Sequence, residues 1–228
     1  YNIVAIFEGE DNYALAYNSS EFNVNKATPT ITVTANPIEY GQDATISIGL
    51  DGVNGEKITG VVKVSINGKD YDVPVTNGAG TLTVSGLVVI DGGYPISVAF
   101  DGNDNYAAAT NTGAKQVVKQ AKPNIVVGHV EFEYGEEVIV PITVTGVNGE
   151  KLNGTVDALV DTYYVVTIEN GTGFIRPTGL SVGVYEVTAE FRGNENYYAT
   201  FIDDPMAIRI TQGTINVTVP NVIVTYPN

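Results

Sequence analysis

The 228-residue chain carries 26 acidic and 11 basic side chains, for a formal net charge of −15, and 43% of its residues are hydrophobic. That apolar share is ordinary for a folded chain and excludes disorder, and the singly scattered basic residues offer no stripe for a nucleic-acid backbone. With no Cys and one His, a disulfide-stapled mini-domain is excluded and zinc or another transition metal lacks a ligand set, while the lack of any 18-residue apolar run leaves no predicted membrane span.

The chain opens on YNIVAIFEGEDNY (Tyr1 to Tyr13), and the pattern returns as YPISVAFDGNDNY (Tyr94 to Tyr106) and YEVTAEFRGNENY (Tyr185 to Tyr197). The spacing of roughly ninety residues suits one small β-sandwich domain. In each copy the alternate positions are apolar, as at Tyr94, Ile96, Val98 and Phe100, which predicts a strand with one face in a core. A turn rich in Gly and Asx residues follows, then a second Tyr. After the first copy, Tyr17 to Ser20 reads as a turn and Phe22 to Lys26 alternates again. Ala27-Thr28-Pro29 marks a junction whose counterparts are Ala121-Lys122-Pro123 and Gly213-Thr214-Ile215. No Gly/Ser linker separates the repeats, which predicts closely coupled modules.

A complete module is expected over 28–120. Ile31 and Val33 open it, Ile38 to Gly41 reads as a turn, and Ala44, Ile46, Ile48 and Leu50 form the next inward stripe. The polar loop Gly52 to Lys57 leads to Val62, Val64 and Ile66, closed by Asn67-Gly68, a strong hairpin signal because both residues tolerate φ > 0. Tyr71, Val73 and Val75 return, Asn77 to Gly80 turns, and Leu82 and Val84 run back toward the repeated motif. A second complete module is expected over 121–213, with landmarks at Tyr134-Gly135, Gly146 to Lys151, Asn170 to Gly173 and Gly179-Leu180. Pro141 falls inside its second strand and predicts a bulge or an unpaired edge. Residues 1–27 read as the sixth and seventh strands of a partial module, and 214–228 as the first strand of another. Seven strands with turns every 8 to 12 residues predict tandem all-β, Ig-like Greek-key sandwiches.

The motif GVYEVTAEFRGNENY (Gly183 to Tyr197), the Tyr-Gly after the first strand and the Asn-Gly-x-Gly hairpin together resemble the bacterial Ig-like repeat of adhesin-like surface proteins of bacteria and methanogenic archaea. The resemblance covers essentially the whole chain. It implies an extracellular, cell-surface location and a non-enzymatic stalk that mediates or spaces out cell adhesion, with neighbouring modules of the same chain as partners. Two alternatives stand beside it: modules that themselves bind a host or neighbour-cell protein or a glycan, and self-assembly into a filament, in which an incomplete terminal module is filled by strands of another chain.

No catalytic motif, phosphate loop or Ser/His pairing is present, and neither a catalytic nor a cofactor-binding residue is assigned. Calcium is the one cofactor to weigh, with Asp101 and Asp104 as the candidate ligands. In the third copy Arg192 replaces the leading acid while Gly102 and Gly193, and Asn105 and Asn196, persist, so turn geometry is the better reading of the loop. Tyr94 and Tyr185 hold the place from which a Tyr in an Ig-like sandwich bonds back across a corner. The closing Tyr106 and Tyr197 are expected to cover a module end. His129 is expected in the opening strand of the second module as an incidental residue, since Ala35 holds the matching place. Asn18, Asn153, Asn170 and Asn216 each begin a glycosylation sequon.

Overall fold

The computed structural model describes residues 1–226 and is almost wholly β, with a single 3-10 turn at Val53–Gly55. Its strands begin with a hairpin, β1 (Asn2–Phe7) and β2 (Ala16–Glu21). Then come β3 (Thr30–Ala35), β4 (Ile38–Glu39), β5 (Ala44–Asp51), β6 (Gly60–Ile66), β7 (Lys69–Val75), β8 (Ala79–Val84), β9 (Tyr94–Phe100), β10 (Ala109–Gln116) and β11 (Val118–Lys119). The remainder are β12 (Asn124–Val127), β13 (Val130–Glu133), β14 (Val140–Thr145), β15 (Gly154–Leu159), β16 (Tyr163–Ile168), β17 (Thr172–Ile175), β18 (Gly183–Phe191), β19 (Thr200–Phe201) and β20 (Met206–Thr211). Packing divides the chain into two units. One holds residues 1–37, 44–84 and 92–117, and the other holds residues 38–43, 85–91 and 118 onward.

In the first unit, β3-β5-β8 forms one antiparallel sheet and β10-β9-β6-β7 another. Period-2 alternation sends Ile46, Ile48 and Leu50 of β5, Val62, Val64 and Ile66 of β6, and Ile96, Val98 and Phe100 of β9 inward, where all are buried. Each such side chain contributes roughly 1.5–3 kcal/mol on leaving water. The β6–β7 hairpin closes on Asn67 (φ 52°) and Gly68 (φ 69°), the left-handed pair that a twisted two-residue hairpin requires. Buried Gln116 donates its amide to Asn36 O (2.8 Å) and Val117 O (3.0 Å), holding the chain where β3 ends. The β1–β2 hairpin is fully paired, Tyr1 N donates to Phe22 O (3.0 Å), and the Tyr1 and Phe22 rings stack at 5.2 Å.

The second unit repeats the plan. β12-β14-β17 is one sheet, and β13-β20-β18-β15-β16, with β19 added to β18, is the other. Its core joins Ile142 and Val144 to Val156, Ile168, Phe191 and Ile208. This strand order, three strands facing five with the first strand shared between both sheets, is the Ig-like Greek-key sandwich.

Several local expectations change. Tyr17 to Ser20 is no turn but lies inside β2, paired with β1, while residues 22–26 and 214–226 form no strand. Ile38–Glu39 is a short strand rather than a turn: β4 runs parallel to β11, with Ile38 opposite Val118. The second repeat does the same, β13 running parallel to β20 with Val130 opposite Ile208, and exposed His129 lies at the crossover rather than in a strand. Of the two outcomes expected at Pro141, the bulge is absent and a local unpaired edge is what forms. β14 keeps one register against both neighbours, and β12 ends at Val127 beside Pro141, so no ladder bond is sought from the missing N–H.

Candidate functional site

The repeated motif ends in a turn built by one Asn. Asn103 Oδ1 accepts from the N–H groups of Asn105 (3.0 Å) and Tyr106 (2.8 Å), and Asn194 Oδ1 accepts from those of Asn196 (3.0 Å) and Tyr197 (3.0 Å). The Asx bonding therefore falls to Asn103 and Asn194, two residues before Asn105 and Asn196. Gly102 (φ 89°) and Gly193 (φ 82°) precede it, and a β-carbon on either would lie 2.7 Å from the carbonyl oxygen of the closing Tyr. Asn105 and Asn196 instead offer their backbone C=O groups to the junction, accepting from Ala27 N–H (2.9 Å) and Ala121 N–H (3.0 Å).

The closing tyrosines are among the most deeply buried polar side chains, Tyr106 at 4% exposure and Tyr197 at 2%. Each hydroxyl donates to the Glu of the polar loop about fifty residues earlier, Tyr106 to Glu56 and Tyr197 to Glu150. The Tyr197 hydroxyl also accepts from Val147 N–H (3.1 Å), while Glu150 accepts from Asn148 N–H (3.0 Å). Gly52 and Gly146 start these loops because a β-carbon would strike the Tyr106 or Tyr197 hydroxyl. Burial and the facing Glu150 carboxylate push the Tyr197 phenol well above its ordinary value. Burial opposes the charge on Glu150, but the bonds from Tyr197 and from backbone N–H groups outweigh it and hold this carboxyl below the usual range. For Tyr106 the bond to Glu56 is the largest cause of an upward shift. The pair is thus a neutral phenol donating to a carboxylate, which braces a loop and leaves no free proton for chemistry.

Glu56 and Glu150 were not singled out from sequence, although the near identity of Gly52 to Lys57 and Gly146 to Lys151 is the signal that points to them. Tyr13, in the first copy, is 72% exposed.

At the other end of the motif strand, the Tyr185 hydroxyl accepts from Ser181 N–H (2.9 Å) and donates to Ser181 O (3.0 Å), a back-bond across the β17–β18 connection. Tyr94 is buried at the matching place. Tyr185→Phe is expected to cost about 1 kcal/mol, read as a lower denaturant midpoint with unchanged slope. An unaltered midpoint would remove the corner role.

The varying charge in the motif has a local explanation. Arg192 grips Asp157 through both Nε and a terminal nitrogen (2.7 Å each), and the bond to Asp157 raises the guanidinium further. In the first repeat the corresponding places hold Lys63 and Asp101, so the acid and the base have exchanged strands. Asp101 and Asp104 are exposed, and among the described residues no three His, Cys, Asp or Glu side chains are grouped to hold a metal ion. Of the sequon residues, Asn18 is exposed on β2, and Asn216 is exposed in the terminal segment. Asn153 accepts from Asn170 N–H at 2.6 Å, with Asn170 at φ 49° in the β16–β17 turn.

No family model matches the chain, and no curated protein does either. Several solved structures are similar to it at low identity. The fibronectin(III)-like modules of Clostridium thermocellum CbhA share 17% identity over 85% of this chain and all of theirs, at a TM-score of 0.32. An I-band fragment of titin shares 15% over 82% of this chain and 67% of its own, at 0.35. The Yersinia pseudotuberculosis adhesin InvE shares 14% over 80% of this chain and 60% of its own, at 0.34. The Ig-like assignment rests on strand order and pairing.

Proposed function

We propose that this chain is a non-enzymatic structural segment of an extracellular, adhesin-like cell-surface protein, whose repeats space out or present an adhesive element. The observation that carries this reading is where the repeated residues are used. The polar loop, the closing tyrosine and the Asx turn are engaged in bracing one another and the junction alanine, so what the repeats share is scaffold. The acidic surface suits a long, soluble, self-repelling array. The experiment is a glycan array and cell-binding assay with the 228-residue chain, paired with a polysaccharide hydrolysis panel and surface labelling of the source cells. Accessibility at the surface without binding or hydrolysis is the expected result. Specific binding or turnover would overturn the spacer role.

A second reading draws on a difference between the repeats. Leu159, Tyr163, Val165 and Phe201 are exposed on the outer face of the β19-β18-β15-β16 layer, where the first repeat has Ser65, Asp70, Asp72 and Thr110. An aromatic and aliphatic face present in one repeat only is the feature a ligand-binding module would show. Binding on the array that is lost in Tyr163→Ser/Val165→Asp would establish this reading. Calcium is expected to leave the melting temperature unchanged, because the motif turn is closed by Asn103 and Asn194 rather than by carboxylates; a calcium-dependent rise would make Asp101 and Asp104 ligands.

A further inference from the structure

The near-identical polar loops have a use beyond their Tyr–Glu brace. In the second unit, the segment at Tyr40-Gly41 and the backbone at Val89 receive a knob made of four residues. The Tyr197 ring meets the Tyr40 ring edge-on at 5.3 Å. A β-carbon on Gly41 would lie 2.5 Å from Val147 Cγ2 and 3.0 Å from Asn148 Nδ2. Val89 N–H donates to Asn196 Oδ1 at 3.0 Å. Val147 and Asn148 come from the polar loop, and Asn196 and Tyr197 from the motif turn.

The residues of that seat occur a second time. Tyr134-Gly135 repeats Tyr40-Gly41, including the left-handed glycine (φ 100° against 88°). The bond from Glu136 N–H to Glu133 O, and the one that Glu133 N–H donates to the Glu136 side chain, match those between Gln42 and Glu39. Gly179-Leu180 repeats Gly86-Leu87, with Gly179 and Gly86 both left-handed. Here the seat is open. It forms a cleft of about 380 Å³ whose lining includes Tyr134, Gly135 and Leu180 together with the charged Glu136, Glu137 and Arg176. Tyr134 is 60% exposed, and a β-carbon on Gly135 would meet nothing within 4 Å. This seat carries an Arg176–Glu137 ion pair at its rim and, among the described residues, holds no knob.

We propose that this cleft is a docking socket for a further β-sandwich module of the same repeat type, recognising the Val and Asn of a Gly-Val-Asn-Gly-Glu loop and the Asn-Tyr that ends the motif. The inference rests on the spacer reading and names its partner. The chemistry is an apolar Val against a bare glycine backbone, an edge-on pair of tyrosines, and one Asn side chain accepting from the backbone N–H of Val182, the counterpart of Val89. The Gly-Val-Asn-Gly-Glu-Lys loop is therefore retained because it faces two ways, inward to the closing Tyr and outward to a seat.

The test joins a second copy of residues 122–213 after Gly213 of the full chain and follows amide hydrogen exchange. Docking is expected to slow exchange at Val182 and at Gly135 at least tenfold relative to the parent chain. Val147→Asp in the added copy alone, at a loop position exposed in the parent, is expected to abolish that slowing while the copy keeps its own core protection. Unchanged exchange at both amides, or slowing that survives Val147→Asp, overturns the socket. Unchanged exchange together with a blank glycan array leaves a jointed spacer, whereas binding on the array overturns the spacer reading whatever the socket does.

Discussion

Tyr197→Ala is expected to destabilise the second unit by about 3–5 kcal/mol, the range for truncating a large aromatic side chain in a packed site. The side chain is 2% exposed and belongs to the core of that unit. Its removal opens a cavity, strips the hydroxyl from Val147 N–H, and leaves Glu150 without the phenol that offsets its desolvation. Tyr197→Phe isolates the polar share and is expected to cost about 1–2 kcal/mol, since the loop groups it abandons regain water in part. Tyr13→Ala is the internal control: the same residue of the same motif, but 72% exposed, and expected to stay within about 0.5 kcal/mol of the parent. Guanidinium denaturation followed by tyrosine fluorescence reads all three. Equal effects at positions 13 and 197 would show that burial is not what the closing Tyr contributes.

The second large effect is expected at the glycine of the motif turn. Gly193→Ala places a β-carbon at φ 82° and 2.7 Å from Tyr197 O, with Ala199 N at 2.8 Å. The left-handed backbone alone costs an L-residue roughly 1–2 kcal/mol. Because the obstructing atoms are backbone, the turn itself has to move, bringing the total to about 3 kcal/mol. Gly179→Ala separates the two contributions. It is also left-handed, at φ 77°, but has open space around the new carbon, so about 1 kcal/mol is expected. Matching losses at the two sites would mean that only the backbone angle matters and that the turn can yield.

The strands are legible in the sequence because their side chains alternate in and out, which marks stripes such as Ile46, Ile48 and Leu50 as inward-facing. The short strands β4 and β13 escaped because two to four residues carry almost no period. Their pairing depends on β11 and β20, about eighty residues away. Pro141 illustrates the same limit, since whether a proline needs an edge depends on where its neighbouring strand stops. In the turn, Gly and Asn were recognisable as turn residues, but choosing Asn103 over Asn105 required knowing which side chain reaches two N–H groups. The Tyr197–Glu150 partnership joins positions nearly fifty residues apart and left one trace in the sequence, a loop repeated almost letter for letter.

The exchanged charges, Lys63 and Asp101 in one repeat at the places of the Asp157–Arg192 ion pair in the other, bear on how adjacent, similar modules avoid folding into each other. Tandem sandwiches with near-identical strands are prone to swap equivalent strands during refolding. Here a swap would bring Lys63 against Arg192 and Asp101 against Asp157, setting like charges side by side at the centre of a sheet. The inversion is expected to act as a key by which each strand pairs within its own module. Rewriting the second pair as Asp157→Lys/Arg192→Asp keeps an ion pair in place while erasing the distinction, and it is expected to leave the native melting temperature near that of the parent while enlarging the slow-refolding, misfolded fraction. Equal refolding yields would show that module identity is kept by other means.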